Sequence, residues 1–275
     1  MEFFKCEKIG TNITKILDLT GVYAYLVEGS RQAALLDTGT GVGNLRELVA
    51  GLTDKPVIVL CTHGHIDHAG GAFGFESVYL NQRDYALAQV HTTVDFRAGS
   101  VRAALEAGTL TRADLVPQRE GNYQDLLDGQ VFDLGGISLE AVALPGHTQG
   151  MTCILLREAR ILLLGDGCNS FTFLFGAESY TVEEYKASLQ QLLQRHEARY
   201  DTVWFSHGHN SGPKTIVNEC IDLCDVIMAG QADNVPFNFM GRTALVAEAR
   251  NPDFSRVDGK IGNIVFNPQR IFSAG

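Results

Sequence analysis

Thr62-His63-Gly64-His65-Ile66-Asp67-His68-Ala69-Gly70-Gly71 is the stretch on which the reading of this chain turns. Four side chains of metal-binding type, His63, His65, Asp67 and His68, fall within six residues, directly after the apolar run Val57 to Leu60. In an extended segment side chains two apart point the same way, so His63 and His65 can face one metal as the strand runs out. Gly64 lets the backbone bend between them. Asp67 and His68 would diverge in a strand, but a helix beginning there would let them converge on a second metal, and Asp is a favoured helix-start residue. Ala69-Gly70-Gly71 then leaves room for close packing behind the cluster.

Further along, single residues of the same types sit at the ends of apolar strands and beside glycine, where a rigid scaffold presents functional groups. His147 follows Leu144-Pro145-Gly146, Asp166 follows Ile161-Leu162-Leu163-Leu164-Gly165, and His207 follows Val203-Trp204-Phe205-Ser206. Ser206-His207-Gly208-His209 offers two histidines, and His207 is preferred because it lies directly on the strand end. Of the eight histidines, His91, His196 and His209 are left without an assignment.

The spacing of apolar residues predicts strands at 13–19, 23–27, 33–37 and 57–60, with a helix over 42–52. Helical patterns cover 82–89, 94–105 and 112–116. A second strand-rich series follows at 131–134, 138–144, 152–156 and 161–164, then helix 182–196, strand 202–205, helix 216–228 and strand 261–266. Two successive groups of strands and helices imply two sheets packed together with helices outside. No Pro/Gly/Ser-rich linker divides them, so a single domain over 1–275 is expected, with a helical, lid-like insertion around 91–123.

At 275 residues and 45% hydrophobic, the chain can bury a substantial core. Its charge of -10 is dispersed and no basic run appears, which argues against a nucleic-acid partner. The first residues lack an apolar leader core, and no apolar stretch approaches the ~20 residues a membrane helix needs. Six cysteines without a paired framework fit a reducing compartment, so a cytoplasmic location is expected. Cys220 and Cys224, one helical turn apart, read as two small buried residues on one helix face.

The run from Thr62 to Gly71 resembles the signature of the metallo-β-lactamase superfamily, and the resemblance extends over almost the whole chain. Leu36-Asp37-Thr38-Gly39 is similar to the first family motif; Pro145-Gly146-His147-Thr148, Gly165-Asp166 and Ser206-His207-Gly208 are similar to the later ones, in order. The resemblance implies an α/β fold, a four-layer αβ/βα sandwich of two mixed β-sheets with helices outside. It implies that His63, His65 and His147 hold one divalent metal ion and Asp67, His68 and His207 another, with Asp166 bridging. Zinc suits imidazole and carboxylate, and iron and manganese fit the same donors. Asp67 would also orient a metal-held water, and Asp37 would support a ligand from behind or cap a turn.

The implied activity is hydrolysis of a small activated carbonyl compound, a lactone, ester or thioester. Asp166 stands where β-lactamases lack a bridging carboxylate, which argues against β-lactams. Acyl-homoserine lactonases carry Tyr where Asn169 stands, and the basic glutathione-binding stretch of glyoxalase II enzymes has no counterpart in Cys168 to Phe175. That apolar aromatic run, with Phe237, Phe239 and Met240, suggests either core or a pocket wall for an apolar or aromatic small-molecule substrate. The main rival is an oxidoreductase resembling mononuclear iron persulfide dioxygenases, which keep the motif. A nuclease would need a basic exosite that is not visible. A membrane partner is not expected, and a homodimer is compatible with everything above.

Overall fold

The computed structural model describes residues 1–239, 241–252 and 255–273. Met240, grouped above with Phe237 and Phe239, lies outside them. The chain divides into two compact units, Met1–Ala141 with Leu156–Glu158, and Val142–Leu155 with Ala159–Gly275.

The first unit opens with β1 (Phe4–Gly10), β2 (Ile13–Asp18), β3 (Tyr23–Glu28) and β4 (Ala33–Leu36), each antiparallel to the next. There follow α1 (Leu45–Leu52), β5 (Val57–Leu60), α2 (Ile66–Ala69), β6 (Ser77–Leu80), α3 (Tyr85–His91), α4 (Val94–Ser100), α5 (Arg102–Glu106) and β7 (Gln124–Asp125). From β4 to β7 the pairing is parallel, which completes a seven-stranded sheet in chain order. β8 (Val131–Asp133) and β9 (Ser138–Ala143) form an antiparallel hairpin. β4 reads Ala-Ala-Leu-Leu with every residue buried, as a strand covered on both faces should.

Among the differences from the sequence expectation, one shifted boundary and one missed strand have identifiable reasons. Asn44 accepts a hydrogen bond from Glu47 N and caps α1, so the helix begins at Leu45 rather than Val42, and Val42 instead bridges to Leu115. The alternation in β1 is masked by charge, because this edge strand is largely exposed.

The segment after His91 is α-helical in α4 and α5, and it is tied down from within. Arg97 of α4 is wholly buried, and its guanidinium donates to the carbonyl oxygens of Thr92, Gly41 and Val116. Burial holds its pKa below the ordinary arginine value. Gly41 has φ +77°, and a Cβ there would lie 2.5 Å from Arg97 Nη1, so the close approach requires glycine. Arg97→Met keeps much of the volume but strands three buried acceptors. We expect it to destabilise the protein by about 3 kcal/mol in urea unfolding; a change below about 0.5 kcal/mol would show that this anchor carries no weight.

The second unit contains β10 (Thr152–Leu156), β11 (Ile161–Gly165), β12 (Thr172–Leu174), α6 (Val182–His196), β13 (Thr202–Phe205), β14 (Ser211–Pro213), α7 (Ile216–Met228), β15 (Val235–Phe239), β16 (Arg242–Val246) and β17 (Ile264–Phe266). Strands run in the order β14-β13-β11-β10, with β11 and β13 parallel. α6 begins at a capping box between Thr181 and Glu184. It buries Tyr185, Leu189 and Leu192 in one core with Val217, Cys220, Leu223 and Cys224 of α7. The two cysteines are thus core residues, as read from their spacing. A further sheet, β12-β17-β16-β15, adds to the two sheets expected. Among the described residues no helix is long and apolar enough to cross a membrane.

Candidate metal centre

In the first unit the site grows from parallel pairing. Leu36 is in register with Leu60, so the segments leaving β4 and β5 emerge side by side at the carboxyl edge of the sheet. Asp37 leaves β4 with φ 61°, a left-handed conformation that Asp tolerates better than most residues. Its carboxylate is wholly buried and accepts from Thr62 N at 2.7 Å, Thr62 Oγ1 at 2.9 Å and His68 Nδ1 at 2.8 Å. Asp37 thus lies behind His68 and Thr62 and accepts from both.

These partners fix the imidazole tautomers. Thr62 spends its hydroxyl proton on Asp37, so it accepts from His63 Nδ1 at 3.0 Å. His68 Nδ1 likewise donates to Asp37. Both rings therefore turn an Nε2 lone pair to the other side. His63 Nε2 lies 3.1 Å from His65 Nδ1, and His68 Nε2 lies 3.6 Å from Asp67 Oδ2.

The local backbone departs from the extended reading. β5 ends at Leu60, His63 lies in a bend, and His65 rather than Asp67 is the N-cap of α2. Asp67 stands inside the first turn, where the helix dipole favours a carboxylate. Gly64 N donates to Asp84 Oδ2 at 2.9 Å, and a Cβ on Gly64 would meet Asp84 O at 2.8 Å. The close packing expected behind the cluster is present, since a Cβ on Gly71 would meet Thr38 O at 2.2 Å.

His91, left unassigned by the sequence, stacks on His65 with ring centroids 5.1 Å apart and on Phe96 at 4.2 Å. This column from α3 and α4 braces the His65 ring. Neither His91 nor Asp84 stands out in the sequence, because each acts through a contact distant along the chain.

In the second unit the parallel β11 and β13 again deliver their termini to one edge. Gly165 pairs with Phe205, and Asp166 Oδ2 lies 3.3 Å from His207 Nε2. His147 Nε2 is 3.7 Å from the same oxygen, and its Nδ1 donates to Phe173 O at 2.8 Å, which leaves Nε2 as a lone pair here too. Asn169 Nδ2 reaches Asp166 Oδ1 at 3.4 Å. Tyr185 donates to Gly167 O at 2.8 Å, and burial holds its phenol well above the ordinary range, so it stays a donor. His209 is exposed.

Donors on a common tetrahedral zinc, each 2.0–2.1 Å from the ion, stand about 3.3 Å apart. The separations of 3.1, 3.3, 3.6 and 3.7 Å fit that spacing, and so do three imidazoles presenting lone pairs. The chemistry of this His/Asp set suits divalent metal ions.

Residues 17–207 match the family model described as the metallo-beta-lactamase superfamily. The acyl-coenzyme A thioesterase MBLAC2 of Bos taurus is 27% identical over 186 residues, 62% of this chain and 66% of that protein. An atrochrysone carboxyl ACP thioesterase of Aspergillus chevalieri is 30% identical over 169 residues, 59% of this chain and 46% of that protein. The match thus spans just under two thirds of the first relative's length and about half of the second's. Among solved structures, a metallo-beta-lactamase from Pontibacter korlensis superposes with a TM-score of 0.57 at 20% identity, covering 80% of this chain and 97% of that one. The stereoselective inverting sec-alkylsulfatase Pisa1 from Pseudomonas sp. gives 0.62 at 15% identity, covering 82% and 42%. These structures share the mixed α/β fold that the sequence led us to expect. With the family model matching well over half of its residues, the chain belongs to the metallo-β-lactamase superfamily.

Proposed function

We propose that the chain is a metal-dependent hydrolase of acyl thioesters, with one divalent ion on His63, His65 and His147, a second on Asp67, His68 and His207, and Asp166 shared. The observation that carries this reading is the convergence of donor atoms. In the first unit His63 Nε2 lies 3.1 Å from His65 Nδ1 and His68 Nε2 lies 3.6 Å from Asp67 Oδ2, and in the second unit His147 and His207 Nε2 lie 3.7 and 3.3 Å from Asp166 Oδ2. The thioester is favoured over the lactone or plain ester because the relatives are named as acyl-CoA and ACP thioesterases.

Two such ions supply Lewis acidity and a water that ionises near neutral pH. The protein's own groups do the remainder. Asp37, Thr62 and the Phe173 carbonyl hold three imidazoles with their lone pairs inward. Asp67, whose side chain is 26% exposed, would orient a water held at the site as well as bind. Asn169 holds Asp166 Oδ1, which leaves Oδ2 toward His147 and His207. Zinc is the proposed metal, with iron and manganese fitting the same donors. Six free cysteines favour a reducing, cytoplasmic setting.

Metal quantification on the purified protein, followed by a panel of acyl-CoA thioesters, lactones, aryl esters and cephalosporins, tests the proposal. We expect two zinc ions per chain and thioester hydrolysis that falls to background after chelation and returns with zinc. Hydrolysis indifferent to chelation would overturn it. So would one iron per chain with dioxygen uptake on a persulfide, which would favour the oxidoreductase reading.

A further inference from the structure

The second unit carries an aromatic face that the chemistry above does not use. Phe171, Phe173 and Phe175 alternate along and beside β12, so they share one side of the sheet, and Phe237 and Phe239 of β15 reach them across β16 and β17. Phe237 lies 5.1 Å from Phe171 and 5.7 Å from Phe173, and Phe239 lies 5.2 Å from Phe173, as ring centroids. Small and branched residues on the middle strands, Ala244, Val246 and Val265, form the floor.

A satellite core would bury such rings. Instead Phe171, Phe173, Phe175 and Phe237 are only half-buried and Phe239 is 41% exposed, an apolar patch of the kind that marks a binding surface. The strand that carries the face also meets His147, whose Nδ1 donates to the Phe173 carbonyl at 2.8 Å. The Arg250 guanidinium covers the Phe171 ring at 3.8 Å and closes that end.

We propose that this face binds the acyl group of the substrate, and that the acyl group is a flexible aliphatic chain rather than a planar polycycle. The inference rests on the thioester reading. Rings along the cross-strand contacts meet at 53° to 85°, and Phe237 and Phe239, though near-parallel at 11°, stand 6.2 Å apart, less than the roughly 7 Å needed to stack a ring between two plates. A planar ring system needs parallel plates, whereas a methylene chain can thread between ridges. From Phe171 to Phe175 the strand rises about 13 Å, room for on the order of ten methylenes.

The test compares acetyl-, hexanoyl-, dodecanoyl- and palmitoyl-CoA and a naphthoyl thioester on the 275-residue chain, with parinaric acid fluorescence as a binding readout independent of turnover. In the wild type KM should fall as the acyl chain lengthens toward dodecanoyl, and parinaric acid should bind. Phe239→Ala, at an exposed position, should raise KM for dodecanoyl-CoA about tenfold and weaken parinaric acid binding, while kcat/KM for acetyl-CoA stays within about twofold. Phe237→Trp should fill part of the face and move the preference to shorter chains, a direction that a merely structural role would not produce. An unchanged chain-length profile in both variants, or a wild-type preference for the naphthoyl thioester, would overturn the inference. If no thioester is hydrolysed but parinaric acid binds and Phe239→Ala releases it, the hydrolase reading fails while the face stands. If thioesters are hydrolysed without regard to length and parinaric acid does not bind, the reverse holds.

Discussion

Asp166→Ala is expected to reduce turnover by more than about 100-fold, since losing a direct donor should exceed the 10–100-fold typical of an outer partner. Metal content should fall below two ions per chain. The reason is geometric: one oxygen, Oδ2, lies 3.3 Å from His207 Nε2 and 3.7 Å from His147 Nε2, so its removal deprives both neighbours at once. It is also electrostatic, because imidazoles alone do not neutralise a divalent ion and a second carboxylate is needed to hold two. Asp166→Asn separates these causes. It keeps the shape and the contact toward Asn169 but loses the charge, and we expect nearly the same deficit. Both variants should fold, because Asp166 sits on the loop after β11 and its side chain retains 14% exposure. Metal analysis and steady-state hydrolysis decide the matter; two ions per chain with ordinary turnover in either variant would sink the assignment.

Asp37→Ala should instead show its largest effect on stability. The change leaves Thr62 N, Thr62 Oγ1 and His68 Nδ1 buried without their acceptor. At about 1–3 kcal/mol for each stranded group, partly relieved by rearrangement, a loss of about 4 kcal/mol is expected in urea unfolding. Alanine also tolerates the backbone φ of 61° less well than aspartate. Asp37→Asn accepts that conformation and can still receive the Thr62 amide, so about half the destabilisation is expected. Its amide nitrogen is a donor and accepts from neither Thr62 Oγ1 nor His68 Nδ1, however, so the His68 tautomer is released. Metal affinity, read by competition with a chromophoric chelator, should then drop 10–100-fold. An Asn variant that binds metal like the wild type would show that Asp37 is only a structural cap.

The elements read best from sequence are those whose pattern is local. Helix 182–196, helix 216–228 and strands 152–156 and 202–205 match the structure at both ends, because amphipathic spacing and capping residues lie within the segment itself. β1, β6, β7, β12, β14, β15 and β16 lie outside the strands expected from the sequence. β7 is only Gln124–Asp125, and its status as a strand comes from parallel pairing with Tyr79 and Leu80 rather than from its own residues. The run Cys168 to Phe175 showed its aromatic character but not that part of it is a strand carrying a sheet of its own.

By itself the sequence determined the chemistry on offer: His63, His65, Asp67 and His68 in one run, and His147, Asp166 and His207 each at a strand end. Donor types and their local spacing are properties of residues and of short backbone, and these survive without a fold. Only the tertiary structure decided how those donors are held. Asp37 meets His68 across 31 residues because β4 and β5 pair in parallel register, Phe173 meets His147 across 26, and His91 meets His65 only when α3 turns back. Each of these contacts sets a tautomer or a ring orientation. A tautomer depends on which atom lies at hydrogen-bond distance, and that partner is chosen by strand register and packing between segments far apart in the chain.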